Sequence, residues 1–262
     1  MKRDFTYKIY RQLLETFLAN GYKVQGLGDF IESPESKVLI LRHDVDRLPG
    51  HSLRTARIEH ELGIHGSYYF RIVKESFDEA IIREIAALGH EIGYHYEDLT
   101  LSRGDLAVAV ESFQRHLQRL REFYPVKTLC MHGSPLSKWD NLKMWETCDY
   151  KQYGLIAEPY YDLDFNKILY LTDTGRAWNN QKMSVRDRVS SQFTHEIKKT
   201  FHMIEAVKEN QLPHQVMINF HPERWDDSII GWTRQLILQN LKNIAKKMIV
   251  RKNQRKQRKT QH

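Results

Sequence analysis

The sequence is short of cysteine and proline, with 2 and 7 among 262 residues. Cys130 and Cys148 are too far apart for a C-x-x-C pair and lack neighbours that would build a thiolate metal site. A disulfide scaffold is thereby excluded, and two free thiols in a reducing compartment are expected. No 18-residue apolar run occurs, and the start Met1-Lys2-Arg3-Asp4-Phe5 has no uninterrupted apolar core before Arg11. Neither a transmembrane span nor a cleaved signal is predicted, which points to a cytoplasmic protein. Internal repeats and low-complexity linkers are missing too, so solenoid, collagenous and disordered architectures drop out. What remains, 41% hydrophobic and 28% charged, is the composition of a soluble globular chain.

Acidic residues are missing from one place in particular. From Lys242 to His262 there are nine Lys or Arg and no Asp or Glu, which leaves 31 basic against 33 acidic residues in 1–241. The pI near 9.2 therefore belongs to a C-terminal extension, while the body is slightly acidic at −2. This division argues against a nucleic-acid enzyme. It leaves two expectations for residues 242–262, a solvated helix end first and a weak contact with an anionic membrane as the alternative.

Within residues 1–241, apolar spacing predicts helices over 4–20, 51–63, 77–88, 103–124 and 194–209, and a last one from about Ser228. Short apolar runs predict strands at 37–41, 67–70, 126–131, 168–172 and 215–220, with another over His90-Glu91-Ile92-Gly93-Tyr94-His95, into which the helix 77–88 leads. Alternating strands and helices imply a parallel α/β fold with helices outside. Asp44, Asp46, His95, His132, Asp173 and His221 all fall at or just past the C-terminal end of a predicted strand, the edge where parallel folds build their sites. Asp44 and Asp46, two apart on extended chain, point to one face. Their mutual repulsion calls for a cation between them or for pairing with Arg42 or Arg47. His90 and His95, five apart, point to opposite faces.

Arg42-His43-Asp44-Val45-Asp46, Gly89-His90-Glu91-Ile92-Gly93-Tyr94-His95 and Ile218-Asn219-Phe220-His221-Pro222 together resemble the polysaccharide deacetylases of the NodB-homology group, carbohydrate esterase family 4. The order and intervals of these motifs agree over about residues 37–225. The resemblance implies a distorted (β/α) barrel over 1–241 that holds one divalent metal ion, zinc first and cobalt, nickel or manganese as alternatives. It also implies the removal of acetyl groups from N-acetylated sugars. On this reading Asp44 is the general base, Asp46 and His95 are metal ligands, His90 is structural and His221 is the general acid. Met131-His132-Gly133-Ser134-Pro135 is similar to the third motif, and Asp173-Thr174-Gly175-Arg176-Ala177-Trp178 to the fourth, which orients the catalytic histidine.

The sequence departs from the pattern in three places. Val45 separates the aspartates. Leu99 stands where the second metal histidine is expected, so Asp98 is taken as the third ligand, with Glu97, His43 and His132 as further candidates. His132 replaces the third-motif arginine, whose charge Arg176 is expected to supply. Trp139, Trp178, Trp225 and Tyr94 are either sugar-stacking platforms or core aromatics. The substrate expected is an N-acetylated sugar or glycan precursor. The competing expectations are a non-catalytic barrel that binds a glycan or nucleotide-sugar, and a hydrolase of some non-sugar amide.

Overall fold

The computed structural model describes residues 3–134, 137–178, 189–194, 197–241 and 243. The side chain of Thr6 accepts from the Ile9 N–H and starts α1 (Tyr7–Ala19), whose buried face carries Ile9, Tyr10, Leu13, Leu14 and Phe17. Beyond Gly21, at φ +79°, come β1 (Lys23–Gln25) and α2 (Leu27–Glu32), two short elements that hydrophobic periodicity does not predict. β2 (Val38–Val45) follows. The strand was expected to stop at Leu41. It continues to Val45 because all eight residues are buried and its ladders with both neighbouring strands run on past Leu41.

The alternation then proceeds through α3 (Pro49–Glu61), β3 (Ser67–Phe70), α4 (Glu79–Ala87), β4 (Glu91–Tyr96), α5 (Asp98–Leu101), α6 (Leu106–Arg121) and β5 (Leu129–Met131). After two 3-10 turns come α7 (Pro159–Asp162), β6 (Leu169–Thr172), α8 (Thr200–Lys208) and β7 (Gln215–Phe220). A final helix, α9, covers 229–241. Of the basic extension 242–262, only Asn243 belongs to the described residues.

All strand pairs are parallel, in the order β5-β4-β3-β2-β7-β6, with β1 on the early part of β2. The expected α/β class is therefore observed. Its barrel is a curled half-barrel, with no ladder between β5 and β6 among the described residues.

Strand alternation gives the sheet two buried faces. Leu39, Leu41, Val216, Ile218 and Phe220 pack outward with residues of α1 and α8, while Val38, Ile40 and Met217 pack inward with Tyr69, Cys130 and Phe165. Along the inward face of β2 the sequence passes from Val38 and Ile40 to Arg42 and Asp44. Polar chemistry thus begins at one end of a continuous apolar layer.

Candidate metal and active site

Five strands deliver the site. Asp44 lies near the end of β2 and Asp46 just beyond it. His95 is in β4, whose register sets it opposite Cys130 of β5. Two residues after Cys130, on the same face, stands His132, and its backbone N–H extends the ladder to the Tyr96 carbonyl. β7 supplies Asn219 and, one residue past its end, His221; β6 ends into Asp173.

Asp44 is fully engaged. Arg42, two residues earlier on the same face, donates from Nε and Nη2 to its two oxygens at 2.8 and 2.7 Å, and Asn219 Nδ2 donates to Oδ2 at 2.8 Å. Burial alone would raise the Asp44 carboxyl, but the Arg42 guanidinium, with His95 and His221 beyond it, holds it well below the usual carboxylate range.

Asp46 is arranged differently. Its Oδ1 is buried and makes no hydrogen bond among the described residues. His95 Nε2 lies 3.5 Å from Oδ1 and His132 Nε2 lies 3.6 Å from it, while His221 Nε2 is 4.0 Å from Oδ2. The other nitrogen of each ring is tied down. His95 Nδ1 bonds the Cys130 carbonyl at 3.0 Å, His132 Nδ1 bonds Glu97 Oε2 at 2.7 Å, and His221 Nδ1 bonds Asp173 Oδ1 at 2.7 Å. A carbonyl or a carboxylate can only accept, so each Nδ1 carries the hydrogen and each Nε2 of a neutral ring keeps a lone pair toward Asp46.

Two donors on a tetrahedral ion with bonds of roughly 2.1 Å lie about 3.4 Å apart, close to the spacings of His95 and His132 from Asp46. An unpartnered carboxylate oxygen, two oriented imidazoles and a buried setting fit a divalent ion with a position left open. Asp44, His95 and Cys130 form a second possible group of donors. There, however, the carboxylate is taken by Arg42, whose positive charge would repel a cation.

The residues behind these rings hold them in place. Arg71 donates to Glu97 from Nε at 2.7 Å and also from Nη2, and its Nη1 reaches the Asp46 carbonyl at 3.0 Å. Burial would raise Glu97, but the hydrogen bond and charge of His132, with Arg71, bring it down to about 2. Asp173, wholly buried, accepts from the backbone N–H and the ring of His221, from Arg224 Nη1 at 2.8 Å and from Trp225 Nε1 at 2.7 Å. Burial and Arg224 work against a charged His221, yet Asp173 and Asp46 outweigh them and raise it above the usual histidine range.

Some expected residues lie elsewhere. Asp98 opens α5 and turns its carboxylate outward, accepting from Tyr94 Oη at 2.6 Å, Ser112 Oγ at 2.7 Å and His116 Nδ1 at 2.8 Å. His132 holds the place expected for it, because β5 lies beside β4 and carries His132 on the face of His95. Arg176 packs its guanidinium against the rings of Phe5 and Trp232 and donates to the Trp232 carbonyl; Arg42 supplies the charge at Asp44. His43 faces the other side of β2, against Tyr10, Glu59 and Tyr68. His90 bonds the Ala56 carbonyl and the Gly66 N–H. Trp178, Trp225 and Tyr94 are buried core aromatics, and Trp139 is half-buried beside Gly104.

Asn219, Arg71 and Arg224 were not anticipated. Arg42 had a signal, because an Arg-x-Asp spacing on a strand sets both groups on one face; the other three depend on neighbouring elements.

No family model matches the chain, and neither does any curated protein. Solved structures do. The chain is similar to a family 4 carbohydrate esterase from Streptomyces lividans in complex with acetate, at 13% identity and a TM-score of 0.44, covering 78% of this chain and 88% of that one. It is also similar to a family 4 pseudoenzyme from Bacillus anthracis, at 12% identity and 0.42, covering 81% and 62%. The third is the family 4 esterase domain of a multidomain xylanase from the hindgut metagenome of Trinervitermes trinervoides, at 13% and 0.40, covering 80% and 84%.

Proposed function

We propose that the chain is a metal-dependent hydrolase that removes the acetyl group from an N-acetylated sugar by cleaving a carbon–nitrogen amide bond. The observation that carries this reading is the convergence of three Nδ1-anchored imidazoles on Asp46 beside an ionised Asp44. The motif resemblance to polysaccharide deacetylases supplies the substrate class. Asp46, His95 and His132 would hold the ion, zinc before cobalt, nickel or manganese. Bound there, a divalent ion supplies Lewis acidity toward the acetamide carbonyl and acidifies water.

The remaining steps fall to the chain's own groups. Asp44 takes the proton of the attacking water, with Oδ2 3.8 Å from His95 Nε2 and its orientation set by Arg42 and Asn219. His221 gives a proton from Nε2 to the departing amine. Asp173 holds the opposite nitrogen and stabilises the imidazolium before transfer. Arg71 and Glu97 keep the His132 ring from rotating.

A cytoplasmic location belongs to the same reading, supported by Cys130 and Cys148, which form no disulfide. It would direct the enzyme to a nucleotide-linked or lipid-linked precursor of surface polysaccharide rather than to finished polymer.

One observation favours a second reading, a glycan-binding barrel without turnover: Asp44, bonded by both Arg42 and Asn219, is a weak base. Acetate release from a panel of N-acetylated sugar precursors, together with the metal content of protein purified without chelators, separates the two. Stoichiometric metal with acetate release supports the hydrolase; glycan binding without acetate from any precursor supports the second reading.

A further inference from the structure

α9 is turned inside out. Helical periodicity puts Gln235 and Gln239 on the side that faces the protein, where they are 8% and 7% exposed. The same side is fastened by polar bonds. Trp232 Nε1 donates to the Asp4 carbonyl at 2.6 Å, and Gln239 donates to Asn243, which donates to the Gly175 carbonyl at 3.1 Å. The opposite side carries Ile230 at 84% exposure, Ile237 at 55% and Leu241 at 59%, with Ile229 and Leu238 at its margins. A helix at the surface of a soluble protein ordinarily shows the reverse arrangement.

The sequence continues both features. Ile244 and Met248 follow Leu241 at helical intervals, and Lys242 opens the run of nine Lys or Arg that has no acidic residue. Arg234 sits between Ile230 and Ile237.

We propose that the outward face of α9, with the basic run that follows it, docks on an anionic lipid bilayer. Isoleucine and leucine side chains enter the acyl boundary while lysine and arginine meet the headgroups. A second copy of the chain aligned in parallel on this face would bring two basic runs together, which charge opposes. A nucleic acid would satisfy the cations and leave the isoleucines in water. The body is slightly acidic at −2 while the run from Lys242 has nine Lys or Arg and no acidic residue, so the net positive charge that an anionic surface attracts is concentrated at this end. α9 rests on the 173–176 turn through the Arg176–Trp232 and Asn243–Gly175 bonds, so the β6 edge of the site is held near the lipid. Docking does not depend on the chemistry of the site.

The test is sedimentation of the full chain with vesicles. Binding is expected to phosphatidylcholine vesicles containing about 30% phosphatidylglycerol and not to phosphatidylcholine alone, and it should weaken at least about tenfold as salt is raised. Ile230→Glu with Ile237→Glu should reduce binding about tenfold or more without moving the thermal midpoint, since both positions are exposed; Lys246→Glu with Lys247→Glu should do the same. Equal binding to both vesicle types, or full binding by the isoleucine variant, would overturn the proposal. So would a lipid-free dimer that the isoleucine variant dissolves, or duplex DNA binding as tight as vesicle binding and kept by that variant.

Discussion

Arg42 holds Asp44 through two hydrogen bonds, 2.8 and 2.7 Å long, from two residues away on the same buried strand. Sequence spacing alone allows this pair as readily as a metal between Asp44 and Asp46. The structure divides the two carboxylates: Asp44 is neutralised by the guanidinium, and Asp46 is left facing imidazoles.

Removing Arg42 strands a buried carboxylate. Arg42→Met should lower unfolding free energy by about 3–5 kcal/mol, measured by urea denaturation. The double variant with Asp44→Leu should lose less than the two single changes summed. Strict additivity in that cycle would show that the pair is not coupled.

Metal retention should separate His132 from Asp98. His95→Ala and His132→Ala should each strip the protein of zinc in elemental analysis, while Asp98→Ala retains it and loses stability through Tyr94, Ser112 and His116. Glu97→Ala should weaken zinc binding about 10- to 100-fold by freeing the His132 ring. Zinc lost on Asp98→Ala and kept on His132→Ala would reverse the ligand assignment.

The proton-transfer roles make a kinetic prediction. Asp44→Asn and His221→Ala should each abolish acetate release with zinc still bound. Normal turnover in either variant removes that residue from the chemistry.

Glu158, wholly buried, is raised from 4.5 to about 7 by burial, against the N–H groups of Tyr160 and Met131, which favour its charged form. The folded state therefore binds the extra proton between those values. Stability contributed at low pH is lost as pH rises through this window, by about 3 kcal/mol in all. Urea midpoints of the parent should fall more steeply from pH 5 to 7.5 than those of Glu158→Gln; parallel curves would contradict the assignment.

Much of the site was legible in the chain. Apolar runs that break into Asp44, Asp46, His95, His132, Asp173 and His221 mark strand ends in a parallel α/β fold, and the alternation of strands and helices sets those ends on one edge. Local pattern also places Arg42 and Asp44 on a common face, because side chains in a strand repeat every two residues.

Other relationships depend on strand order and helix orientation, which no local pattern encodes. The neighbouring positions of β4 and β5 bring His132 to His95. The start of α5 turns Asp98 toward α6, and packing against Phe5 and Trp232 takes Arg176 from the place expected for it. The same is true of α9: its sequence has an apolar stripe, and the polar contacts of Trp232, Gln239 and Asn243 turn that stripe to the outside. Periodicity determines which residues share a face; only the packing of whole elements decides what that face meets.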